Sequence, residues 1–253
     1  VHDMIHEKFP FYFSDAEKVI KQKKEVISNA NRIIAISENT KKDIIELLHI
    51  NPDKIDVIYH STSMKRYNDK YSLQLPLKYI LFVGDRAPYK NFERFIEAIS
   101  LVLPQYKDLS VVCTTPSFNK KEDTLIQNLN LTDRIHQIKA SDKELSELYS
   151  RAELFVFPSL YEGFGIPILE AYACQCPVAL SNTSCFPEIA GKAGIYFDPY
   201  SPNSIANSII KVLNNEKAKA QLINEGNKRL ELYSWEKAAL RTENVYKKIL
   251  DID

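Results

Sequence analysis

Two short stretches gather the side chains best suited to a charged, hydroxyl-rich ligand. The first is Gly84-Asp85-Arg86-Ala87-Pro88-Tyr89-Lys90-Asn91, set between an apolar run and a helical period. A helix start presents free N–H groups and the positive end of the helix dipole, and Arg86 and Lys90 add a planar fork and a point charge. A diphosphate suits such a loop; a solvated basic turn is the plainer alternative. The second stretch is Pro158-Ser159-Leu160-Tyr161-Glu162-Gly163-Phe164-Gly165-Ile166-Pro167-Ile168-Leu169-Glu170-Ala171. Pro167 suits a first helical turn, which places Glu170 in that turn and Glu162 on the loop ahead of it. Two carboxylates then flank a helix N-terminus, where they can accept from sugar hydroxyls while the amides of Phe164, Gly165 and Ile166 donate to phosphate. The plainer alternatives are a first-turn acid stabilised by the dipole by about 0.3–1 kcal/mol for Glu170, and a solvated loop acid for Glu162.

These groups act together only if the fold holds them. From Tyr79 onward, short β-branched or aromatic runs begin at Tyr79, Leu109, Ile135, Leu154, Pro177 and Ile195, separated by helical periods such as Asn91 to Leu103. Buried strands alternating with helices imply a parallel sheet covered on both faces, which binds ligand at the carboxyl ends of its strands. The chain has only six glycines. Gly84, Gly163 and Gly165 fall just past predicted strands, where a backbone turns sharply or approaches a ligand.

Before Tyr79 the same alternation is short: a charged helix from about Ser14 to Asn29, a strand Arg32 to Ile36, a helix from about Asn39 to Leu48 and a strand Ile55 to Tyr59. Two strands are too few to complete a doubly wound sheet, so this segment reads as the last part of a first domain. His60 to Leu77 reads as a linker. Helices are expected over Pro202 to Leu213, Glu216 to Leu232 and Trp235 to Leu250, the last capped by Ser234. The divisions are thus 1–77 for the end of a first domain, 78–232 for a complete second domain and 233–253 for a C-terminal helix.

Lys+Arg and Asp+Glu both number 33 in 253 residues, so the whole-molecule field offers polyanions no attraction and general nucleic-acid binding is disfavoured. No apolar run approaches the ~20 residues that span a bilayer, and the expected location is cytoplasmic. Cys113, Cys174, Cys176 and Cys185 lack paired metal spacing and read as reduced core thiols. Asp251-Ile252-Asp253 reads as a terminal tail rather than a metal pair. The start at Val1-His2-Asp3-Met4, without an initiator methionine, suggests a fragment.

Taken together, Phe82-Val83-Gly84 with Arg86 and Lys90, Glu162 through Ala171, and Pro187-Glu188-Ile189-Ala190-Gly191 resemble the retaining glycosyltransferases of family four, and the likeness runs on through Val1-His2-Asp3-Met4 and Ser37-Glu38-Asn39-Thr40-Lys41. The resemblance implies a GT-B architecture: a complete C-terminal Rossmann-like, doubly wound α/β domain and part of an N-terminal one. It also implies acceptor binding for the first division, donor binding for the second and a C-terminal helix that packs back on the first. It implies sugar transfer from a UDP-sugar or GDP-sugar, without metal or other cofactor, to a glycan or lipid-linked acceptor. By family association the donor is of mannose or glucose type and the product a cell-envelope polysaccharide or lipopolysaccharide. Residue by residue, Arg86 and Lys90 would neutralise the diphosphate, Glu162 would contact the transferred sugar, and Glu170 would bind the ribose. The amides of Phe164, Gly165 and Ile166 would line phosphate and sugar, and the base would lie near Lys139 and Ala140. His2 would stand close to the reacting sugar, its plainer alternative being a terminal surface histidine. No nucleophile stands out.

In that family most acceptor contacts come from an N-terminal region to which this sequence has no counterpart, so the chain is expected to bind donor more readily than it transfers sugar. One rival reading is a non-catalytic nucleotide-sugar-binding subunit that needs a partner chain. A dinucleotide-dependent oxidoreductase is disfavoured because no Gly-x-Gly-x-x-Gly follows a strand. Lys18, Lys21, Lys23 and Lys24 on the first helix raise a peripheral contact with anionic lipid at the inner membrane face, against the ordinary alternative of a solvated helix face.

Overall fold

Runs in which every side chain is apolar are stable as strands only when both faces are covered, and their placement fixes the rest. The computed structural model describes residues 1–67, 73–114 and 116–250. Part of the expected linker and the Asp251-Ile252-Asp253 tail lie outside them.

The first unit comprises α1 (Ile5–Lys8), α2 (Ala16–Asn29), β1 (Ile33–Ala35), α3 (Glu38–Leu48) and β2 (Ile55–Val57). β1 and β2 pair in parallel, and Met4, Ile27, Ile33, Ala35, Ile44 and Ile55 form a small core against them.

The second unit carries β3 (Lys78–Phe82), α4 (Phe92–Val102), β4 (Leu109–Thr114), α5 (Lys120–Asn128), β5 (Ile135–Ile138), α6 (Asp142–Arg151), β6 (Leu154–Phe157), α7 (Ile166–Ala173), β7 (Val178–Ser181), α8 (Phe186–Ala190), β8 (Gly194–Phe197), α9 (Pro202–Leu213) and α10 (Glu216–Leu230). Its strands form one parallel sheet in the order β5-β4-β3-β6-β7-β8. Alternation along β3 builds two cores: Tyr79 and Leu81 pack with α6, α7 and α8, while Ile80 and Phe82 pack with α4, α5 and α9. Strand order reverses between β3 and β6, and a doubly wound sheet opens a crevice at the carboxyl ends of such a pair. All four cysteines are buried free thiols, as their apolar settings imply.

Two units so joined need specific contacts, and the loop after β6 supplies them. Ser37 caps α3, accepting from Thr40 N at 3.0 Å, and its hydroxyl donates to Gly163 O at 2.7 Å. The Glu188 carboxylate accepts from the amides of Glu38 and Asn39 at 2.7 and 3.1 Å, closing the same helix start from the other unit. Tyr161 Oη donates to Asp43 Oδ2 at 2.6 Å and accepts from Met4 N at 3.3 Å, while Lys8 Nζ lies 2.6 Å from Asp43 Oδ1. α11 (Trp235–Leu250) runs back to the first unit, its Trp235 ring 5.5 Å from that of His60 and Lys248 Nζ 3.8 Å from Asp56 Oδ1. Ser234 accepts from Lys237 N at 3.0 Å, the cap its position implies. Among the described residues, no helix is long and apolar enough to cross a membrane.

Most element boundaries differ from the sequence expectation by a residue or two, and three differences illustrate it. α2 starts at Ala16 rather than Ser14, and α10 stops at Leu230 rather than Leu232. The third bears on the site. α7 begins at Ile166, so Glu170 lies beyond the first turn, which holds no acid. The macrodipole falls off within that turn, so it does not explain Glu170.

Candidate functional site

The two chemistry-bearing stretches lie side by side at the carboxyl ends of β3 and β6, where the strand order reverses. After β3 the chain passes through Gly84 and a tight 3-10 turn, Pro88–Lys90, and Asn91 then takes a left-handed conformation with φ 61° to start α4. Asparagine is among the few residues besides glycine that tolerate this geometry. Its side chain is used as well: Nδ2 donates to Pro158 O at 3.0 Å and to Pro199 O at 2.7 Å, and the residue is only 4% exposed. Leu160 N donates to Tyr89 O at 2.8 Å. Both loops are thereby fixed to each other before any side chain meets a ligand.

On that scaffold Lys90 Nζ donates to Glu162 Oε1 at 2.7 Å, with the two side chains 17% and 15% exposed. Burial works against the Lys90 charge, but the Glu162 carboxylate outweighs it and holds the ammonium above its ordinary value. Burial also pushes the Glu162 carboxyl up, and Lys90 and Ser159 pull it back only in part. Glu162 N donates to Ser184 Oγ at 3.1 Å, and Gly165, at φ 88°, turns the chain into α7. Phe164 is buried, its ring 5.6 Å from that of His60. No side chain caps α7.

Glu170 lies in an adjoining cavity of about 230 Å³ lined by Ser61, Thr62, Ser63, Met64, Tyr67, Asp142, Ile166 and Trp235. Tyr149 Oη donates to its Oε2 at 3.0 Å. Burial raises its carboxyl above the ordinary range, offset by the Tyr149 hydroxyl and reinforced by Asp142. His2 is exposed and stacks on His60 at 5.7 Å, while its carbonyl presses on Gly163, where an added Cβ would stand 1.8 Å from the His2 oxygen. Lys139, exposed, and Ala140, half-buried, follow β5 and precede the Ser141 cap of α6.

Arg86 is placed differently from Lys90. Its guanidinium donates to the carbonyls of Thr114, Pro116 and Ser117 at 3.2, 2.5 and 2.7 Å. Its Nε lies 3.0 Å from Glu122 Oε2 without hydrogen-bond alignment, and Phe92 and Phe118 flank it at 5.4 and 4.8 Å. The structure therefore brings Lys90 and Glu162 together, sets Glu170 in a neighbouring cavity and turns Arg86 toward the loop after β4. Convergence of all four side chains on one point, which their spacing suggested, is not the arrangement found. Asn91 and Tyr149 were not singled out in the sequence. For Asn91 a signal existed, an asparagine between a basic turn and a helix; Tyr149 looks like any helical core residue.

Comparison with known proteins identifies the family and the fold. The chain is 28% identical over 236 residues to the O-antigen chain mannosyltransferase B of Escherichia coli, covering 88% of this chain and 62% of that protein. It is 30% identical over 212 residues to the O-antigen chain mannosyltransferase RfbU of Salmonella typhimurium, covering 81% and 58%. The chain thus spans about three fifths of the length of these relatives. Among solved structures, sucrose-phosphate synthase from Thermosynechococcus elongatus superposes with a TM-score of 0.85 at 22% identity, covering 99% of this chain and 67% of that one. Anabaena Alr3699/HepE, solved with UDP and glucose, gives 0.79 at 19% identity, covering 94% and 69%. At such identities the likeness establishes the fold, which is the GT-B architecture. A family model matches residues 63–229, and the chain belongs to that family, the glycosyl transferases group 1.

Proposed function

We propose that this chain holds a nucleoside-diphosphate sugar where β3 and β6 diverge, and that the protein it represents transfers the sugar, with retention, to a glycan or lipid-linked acceptor. The observation that carries this reading is the half-buried Lys90–Glu162 pair at the carboxyl ends of those strands. Breaking a sugar–phosphate bond builds positive charge on the ring and negative charge on the departing diphosphate. Lys90 is the cation placed to stabilise the latter, in a cleft dry enough for the interaction to matter. As Lys90 turns to phosphate, Glu162 is released to accept from a sugar hydroxyl or to face the anomeric carbon.

Arg86 joins by exchanging the carbonyls of Pro116 and Ser117, its more exposed partners, for phosphate oxygens. Arginine–phosphate pairs are bidentate and charge-assisted, so this exchange is favourable. Glu170 accepts from the ribose hydroxyls in its cavity, and the base lies over Lys139 and Ala140. Two relatives are O-antigen chain mannosyltransferases, which favours a mannosyl donor, a role in cell-envelope polysaccharide synthesis and a location on the cytoplasmic side of the membrane.

Calorimetry with UDP, GDP and their sugars tests the reading. One nucleoside diphosphate should bind at micromolar or weaker affinity, and the double variant Arg86→Ala/Lys90→Ala should abolish binding. Unchanged affinity in that variant removes both residues from the site and the reading with them.

A further inference from the structure

Apart from both the Lys90–Glu162 pair and the Glu170 cavity, the joint between the two units forms an open pocket of about 330 Å³. Arg229, Lys237 and Arg241 line it with the hydroxyl-bearing Tyr59, Tyr233 and Ser234, and no carboxylate is among its lining residues. Three cations converging without an acid are unexpected in a chain whose acidic and basic residues balance at 33 each. Glu188 interacts with the Tyr59 hydroxyl from outside the lining and is otherwise engaged by the amides of Glu38 and Asn39.

The cations are held in ways that suit a compact anion. Arg229 is anchored by Ile189 O at 2.6 Å and by Glu188 O, which fixes its guanidinium on the wall. Lys237 spends one donor on Glu231 O at 2.9 Å, leaving the rest of its ammonium available, because lysine carries three. Arg241 has no ion-pair partner among the described residues. The volume falls in the ~300–1,000 Å³ range of small-molecule sites, too small for a nucleotide sugar to fill comfortably but ample for a phosphate on a small organic body.

We infer that this pocket binds a small phosphomonoester dianion: Arg229 and Arg241 supply forked donors, Lys237 a point charge and the Ser234 hydroxyl a further donor, while the Tyr59 and Tyr233 hydroxyls, already donating to Glu188 and to Ile189 O, shape the wall. Its position gives such binding a consequence. Tyr59 comes from the segment leaving the first unit, whereas the cations come from the end of α10 and the start of α11, so a ligand there braces the joint between the units. The inference does not depend on the donor reading.

Calorimetry with inorganic phosphate and with a hexose 6-phosphate, each on the whole chain, tests it. Lys237 and Arg241 are exposed, so Lys237→Ala/Arg241→Ala should fold normally and bind the better probe on the order of tenfold or more weakly. Lys90→Ala should bind that probe as the unaltered chain does. Equal affinity for the two probes identifies phosphate itself as the ligand, and tighter hexose phosphate binding identifies an ester; either supports the site. Failure of both probes to bind, an affinity untouched in the double variant, or a loss seen only in Lys90→Ala overturns it.

Discussion

At the Lys90–Glu162 pair, burial and charge pull against each other, and pH separates them. Lys90 titrates above its unfolded value, so its favourable contribution is present below about pH 10.4 and is lost as pH rises through the folded value. Glu162 is also raised; its contribution is present below about pH 4.3 and lost as pH climbs through its elevated folded value. Removing the lysine deepens the upward shift of Glu162. Lys90→Ala should therefore be destabilised at neutral pH by about 1–3 kcal/mol, less than for a fully buried pair because both side chains touch solvent. Melting both proteins between about pH 4 and pH 8 should show that deficit shrinking as the carboxyl protonates, and a pH-independent deficit counts against the coupling. Glu170 differs, since Tyr149 needs only an acceptor. Glu170→Gln should leave stability within about 1 kcal/mol, yet weaken nucleoside diphosphate binding on the order of tenfold if the carboxylate holds the ribose. Unaltered affinity would take Glu170 out of the site.

Among the elements, the β6–α7 loop both carries Glu162 and joins the units, and Gly163 is where those tasks meet. A Cβ there would lie 1.8 Å from the His2 oxygen and 2.9 Å from its carbon, both backbone atoms that cannot swing away. Gly163→Ala should push the first unit off the loop, weaken the Ser37–Gly163 bond and cost about 1–3 kcal/mol. A fall of several degrees in melting temperature, with earlier proteolysis of residues 1–57, is the expected result; an unchanged melt would show that the units are not clamped here. The strands of this scaffold were legible because each is a short local run carrying β-branched or aromatic residues: Leu154 to Phe157 and Ile135 to Ile138 are matched to the residue. What was not legible depends on partners distant in the chain. Nothing near Arg86 announces that Glu122 and the carbonyls of Pro116 and Ser117 will claim its guanidinium. Pro167 correctly marked a helix start, but it sits second in α7, which moves Glu170 past the first turn and replaces a dipole contact by Tyr149. Asn91 ties three loops through one amide, and only its tolerance of a left-handed backbone shows in sequence.

Across the whole molecule, two units of unequal size are joined by a few polar contacts that let them behave as one body. The first unit's own core gathers six buried apolar side chains against two paired strands, and two-stranded pairs by themselves are marginal in water. The second unit adds to its stability through the Glu188 cap on α3 and the Tyr161–Asp43 bond. Asp43 is 2% exposed and is held by Tyr161, Lys8 and Asn39. Tyr161→Phe keeps the ring in place and deletes one donor to a buried carboxylate and the acceptor for Met4 N, a loss of about 1–3 kcal/mol. Because Asp43 keeps Lys8 and Asn39, the first unit should not unfold outright; it should open more often than the sheet of the second. Hydrogen exchange should then quicken at the amides of Ile33–Ala35 and Ile44 while those of Leu81 and Val156 stay protected. Equal acceleration in both units would mean that they unfold as one and that the joint is not the weak element. Acceleration in neither would mean that the hydroxyl does not couple them.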